Sequence, residues 1–115
     1  MTIYNLVEKA YSNALEKGFH DKEQSVGEML MLIVSELGEA LEAHRIDKRA
    51  KLSVSTTFQQ DDFEMFVKDS FEDELADVVI RVADLCGHMG IDLQRHIELK
   101  MEFNKSRERL HGKAY

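Results

Sequence analysis

The sequence predicts an all-α protein, a single domain built as a four-helix bundle, and three observations carry that reading. No proline occurs in 115 residues, so long helices can run uninterrupted. Apolar residues recur every three or four positions through four long stretches, while no stretch alternates as a half-buried strand would. Finally, Gly18 and Gly90 fall where two of those stretches stop. A length of 115 residues suits one domain spanning 1–115, and 43% apolar residues suffice for a core.

The first helix is expected from Ile3 to Lys17, with Ile3, Leu6, Val7, Ala10, Ala14 and Leu15 on one side and Gly18 as its stop. Ser25-Val26-Gly27-Glu28 has the form of a capping box, which starts a second helix running to about Arg45. The six-residue apolar run Met29 to Val34 wraps this helix on more than one face, which places it centrally or at a subunit contact. Between Ile46 and Asp62 the stripe gives way to Ser, Thr and Gln, a long polar connection. A third helix is expected from Asp62 or Phe63 to Met89, with Gly90 as its stop. Asp92 then caps a fourth that runs towards Arg109, leaving His111 to Tyr115 as a loosely ordered tail.

Charge narrows the partners. Fifteen basic against 22 acidic residues give a net charge of −7, which repels nucleic-acid polymers and anionic membranes alike. A small polyanion remains admissible where a cation reverses the local potential. The lone Cys86 and an N-terminus without a basic, apolar leader lead us to expect a cytoplasmic protein.

Two acid pairs interrupt the apolar pattern. Glu36 and Glu39 share one side of the second helix, between Leu32 and Ala43; Glu74 and Asp77 repeat the i, i+3 spacing on the third, flanked by Ser70, Arg81 and Asp84. If the helices pack side by side, four carboxylates converge, and their hard oxygens suit Mg²⁺ or Mn²⁺ better than zinc. The plainer reading is four solvated surface acids in an acidic chain. A di-iron bundle would need two Glu-x-x-His motifs, whereas only Glu108-x-x-His111 occurs. On the fourth helix Lys100, Asn104 and Arg107 form a basic and amide row suited to phosphate oxygens, or simply a solvated row balancing the acids.

Together, Glu36-Leu-Gly-Glu39, Glu74-Leu-Ala-Asp77 and the segment Lys100-Met-Glu-Phe-Asn104 resemble the all-α nucleoside triphosphate pyrophosphohydrolases, specifically small MazG-like proteins. The chain departs from that pattern at Ser35, where a second acid is usual, and in the long separation of its two acid pairs. The resemblance implies Mg²⁺-dependent cleavage between the α and β phosphates of a nucleoside triphosphate, giving a monophosphate and pyrophosphate, as in clearance of unwanted nucleotides. It makes Glu36, Glu39, Glu74 and Asp77 the metal ligands and puts catalysis on Glu36, Glu39, Lys100 and Asn104. Substrate contacts fall to Lys100, Asn104, Arg107, Phe19 and His20, the last two also readable as a hydrophobic clamp and a surface histidine. Arg45, Lys48, Arg49 and Lys51 could cover phosphates or form a solvated basic loop. A homodimer or homotetramer is expected. The competing expectation is a catalytically silent helical module that binds nucleotides or regulates.

Overall fold

The computed structural model describes residues 1–52 and 60–108, and within them the chain is all-helical. Five helices follow in order: α1 (Ile3–Glu16), α2 (Val26–Arg45), α3 (Gln60–Phe66), α4 (Phe71–Met89) and α5 (Leu93–Lys105). The expected ordering of the 111–115 tail, and the middle of the polar connection at 53–59, lie outside the described residues.

Helix starts follow local chemistry. Thr2 caps α1 through a reciprocal capping box with Asn5, and Ser25 does the same for α2, its Oγ accepting from the Glu28 amide at 3.1 Å. Asp92 caps α5 by accepting from the Arg95 amide at 3.1 Å. Gly90 ends α4 at φ +69°, a left-handed conformation in which a side chain is strained.

The expected third helix is two. Its chain breaks after Phe66: the Phe63 carbonyl accepts from both Val67 and Lys68, and Asp69 turns left-handed at φ +63°. Ser70 then caps α4, its Oγ accepting from the Asp73 amide at 3.2 Å. Apolar spacing continued across Phe66, Val67 and Phe71 and hid this break, because a tight turn can preserve the side of the chain that faces the core. The beginning of the polar connection is also tied down, with Lys51 N–H donating to the Phe66 carbonyl and Phe71 N–H to that of Lys48. α5 stops at Lys105, a turn short of Arg109.

Helix α4 is the centre of the packing, with α2 along one side and α1 along another, while α5 leans on α1. Small side chains bring the helices close: Ala40 and Ala43 of α2 and Ala83 of α4 are buried, and a methyl group on Gly87 would lie 2.5 Å from Tyr11 Cβ of α1. Met29, Glu36, Ala40 and Ala43 are the buried residues of α2 and recur at helical spacing, so Glu36 lies within the buried stripe itself. The opposite side of α2 exposes Leu30, Met31, Val34, Leu37 and Leu41. No helix among the described residues is long and apolar enough to cross a membrane.

Candidate metal centre

Close packing of α2 on α4 brings three of the four expected ligands together. Carboxylate oxygens of Glu36, Glu39 and Glu74 all lie within 4.8 Å of one another. Glu36 and Glu74 are 8% and 6% exposed, and Glu39 stands at the open side. Burial of two acids in one seam costs more than any solvated i, i+3 pair, since each loses water as well as facing like charge.

The hydrogen bonding is incomplete. Glu36 Oε1 accepts from Arg81 Nε at 2.9 Å, whereas Glu36 Oε2 and Glu74 Oε2 are buried without a partner. Orphaned buried oxygens are uncommon in folded proteins because each forfeits its solvation. Three carboxylates with oxygens inside 4.8 Å, two of them each carrying an orphaned oxygen, could hold a hard divalent cation, for which bonds of about 2.1 Å are usual.

Protonation records the same strain. Burial, followed by the neighbouring Glu36 and Glu39 carboxyls, pushes Glu74 up to about 7. Glu39 is also raised, first through its hydrogen bond and charge interaction with Glu36. Glu36 is pulled the other way: burial favours its neutral form, but the close Glu39, Arg81 and Glu74 side chains outweigh it and lower its pKa. Within the coupled group Glu36 is biased towards its charged form and Glu74 towards its neutral one.

Asp77 stands apart from this triad. It is half-buried and raised, by burial first and then by the charges of Asp73 and Glu36, and it lines a cavity of about 230 Å³ that opens beside Glu36. Glu74 belongs also to a second acidic group with Asp69 and Asp73, but Asp73 Oδ2 is already engaged there, accepting from the Asp69 amide at 2.9 Å.

The other expected site residues divide. Phe19 is 65% exposed at the wall of the cavity. His20 does not line it; its Nε2–H donates to Asp84 Oδ1 at 2.7 Å, with its ring stacked on His88 at 4.6 Å and set edge-to-face with Tyr11 at 5.4 Å between ring centres. Lys100 and Asn104 are exposed on α5, Lys100 Nζ and the Arg107 guanidinium flanking the Phe103 ring at 5.2 and 5.5 Å. None of these three residues lines the cavity, and among the described residues none hydrogen-bonds to the acid triad. Of the basic connection, Arg49 pairs with Glu72 at 3.1 Å, and Arg45 approaches Glu42 at 3.8 Å.

Two contacts at the candidate site were not foreseen from the sequence, Arg81 on Glu36 and His20 on Asp84. A signal for the first was present: Arg81 is the only Lys or Arg on the acidic stripe of α4, one turn beyond Asp77. No family model, curated protein or solved structure matches the chain.

Proposed function

We propose that the protein is a Mg²⁺-dependent nucleoside triphosphate pyrophosphohydrolase of the MazG-like type, with Mn²⁺ as a possible substitute ion. The single observation that carries the reading is the triad of Glu36, Glu39 and Glu74 with two buried oxygens lacking any hydrogen bond. Glu36, Glu39 and Glu74 would hold the ion, and Asp77 would add a carboxylate from the cavity side. Bound magnesium supplies phosphate charge neutralisation and a more acidic water. Arg81 holds Glu36 Oε1, which would leave Oε2 free for an ion, and one of the cluster's carboxylates would accept the proton of the attacking water.

Association completes the reading. The exposed apolar side of α2, with Leu30, Met31, Val34, Leu37 and Leu41, suits a homodimer or a dimer of dimers. A second copy can then bring Lys100, Asn104 and Arg107 to the phosphates that this chain's own α5 leaves unreached.

The test is product identity. Purified protein with Mg²⁺ and nucleoside triphosphates should release pyrophosphate and a monophosphate, and Glu39→Ala or Asp77→Ala should abolish it; orthophosphate release would refute the assigned bond. Mixing inactive Glu39→Ala and Lys100→Ala chains should restore part of the activity if the row acts across a subunit boundary. A silent nucleotide-binding module is the second reading, favoured by the distance of α5 from the acids, and it predicts calorimetric binding of metal and nucleotide without product.

A further inference from the structure

The cavity beside Glu36 has its own chemistry. At about 230 Å³ it lies below the usual size of a site for a whole drug-sized ligand, so it admits one ring system of a nucleotide rather than the entire molecule. Its apolar wall includes Leu32, Ile80 and Phe19. Its charged lining comprises three carboxylates, Glu36, Asp77 and Asp84, against the single guanidinium of Arg81. That balance repels phosphate, which belongs at the cation, and leaves the cavity for the uncharged end of the substrate.

Asp84 is built as a fixed acceptor. His20, 7% exposed in its side chain and held between Tyr11 and His88, donates to Oδ1 from behind, and among the described residues no other hydrogen bond to Asp84 competes for Oδ2. A carboxylate so held offers its other oxygen as a hydrogen-bond acceptor. Asn13 and Gln24, on the same wall, each offer both an amide donor and an acceptor for a neighbouring ring nitrogen or carbonyl.

We propose that this cavity is the base-recognition site and that Asp84, positioned by His20, selects nucleobases bearing an exocyclic amine, cytosine or adenine, over their keto counterparts uracil and hypoxanthine. An amine places a donor against Asp84, as carboxylates accept from cytosine N4 in nucleic-acid recognition. A keto oxygen places two acceptors face to face with no proton between them. Phe19 supplies an exposed ring at the cavity wall for stacking. The inference deepens the hydrolase reading and rests on it for the location of the phosphates.

The experiment has two arms. With Mg²⁺, kcat/KM for pyrophosphate release is compared within the pairs CTP and UTP, ATP and ITP; the amino member is expected to lead by about tenfold or more in each. Asp84→Asn, whose amide can serve either base, narrows both gaps. The second arm needs no turnover: cytidine or uridine is titrated into the wild-type protein without metal while the His20 and His88 ring resonances are followed, and cytidine is expected to bind tighter and shift both. Selective cytidine binding without hydrolysis of any triphosphate would keep this inference and remove the hydrolase reading. Equal kcat/KM within both pairs, or equal or absent nucleoside binding in a protein that does not turn over, would overturn it, and neither outcome depends on the variant folding.

Discussion

Glu72 and Glu74 lie two residues apart on α4 and have opposite fates. Glu72 faces Arg49 at 3.1 Å and accepts from the Ala50 amide at 3.0 Å, and these contacts, the arginine first, lower its pKa to about 2. Glu74 turns into the seam with α2, where burial and two further carboxyls raise it to about 7. One acid has been satisfied by the fold, and the other has been left with a buried oxygen that no hydrogen bond reaches. The difference lies in the partners each helix face meets, since the residue type and the helix are the same.

The sharpest way to break this comparison is to neutralise each acid in turn. Glu74→Gln should reduce pyrophosphate release by roughly 10²–10³-fold, the scale of losing a group that organises transition-state charge, while Glu72→Gln should stay within about twofold. Comparable losses from both would mean that the seam has no special role.

Magnesium gives the next effect. An ion present at about 100 times its Kd should stabilise the folded protein by about 2.7 kcal/mol, a rise in Tm of roughly 10 °C that chelation reverses and Glu74→Gln removes. Near pH 7 its binding should release protons from Glu74, whose pKa is raised to about 7 without the ion, and far fewer at pH 9. Calorimetry in buffers of different ionisation heat measures this directly.

Stability against pH separates the two acids without any ligand. Glu74 has a folded pKa above its ordinary 4.5, so its contribution is fully present below pH 4.5 and is lost as pH rises through about 7. Glu72 has a folded pKa below 4.5, so its contribution is present above that pH and is lost as pH falls towards about 2. Denaturant titrations across pH 2–9 should therefore show Glu74→Gln flattening the neutral limb and Glu72→Gln the acid limb. The smallest effect is on Tm at pH 7, where Glu72→Gln should lower it only slightly, because a solvent-exposed ion pair is screened.

Much of the fold was legible because its signals are local. The Ser25–Glu28 capping box, the Asp92 cap and the Gly90 stop all act within a turn of the residues concerned, and each is found where the pattern put it. The break between α3 and α4 was missed although its cap was also local: Ser70 and Asp73 form it, but the apolar spacing across Phe66 to Phe71 masked them. The candidate site was legible as two acid pairs and no further. Spacing placed Glu36 beside Glu39 and Glu74 beside Asp77; it could not show that Asp77 would stand off in the cavity while Glu74 joined the α2 acids.

From its own residues the chain determined helices, caps and the two acid-bearing faces, because i, i+3 and i, i+4 neighbours are set by backbone geometry alone. Tertiary structure decided which oxygens lose water. Ala40, Ala43 and Ala83 let α2 and α4 approach until Glu36 and Glu74 were buried, Arg81 could satisfy only one of their four oxygens, and His20 reached across from a distant loop to Asp84. Burial and the choice of partner are properties of surfaces that meet in space, and it is there that two ordinary acidic motifs acquire a demand for positive charge.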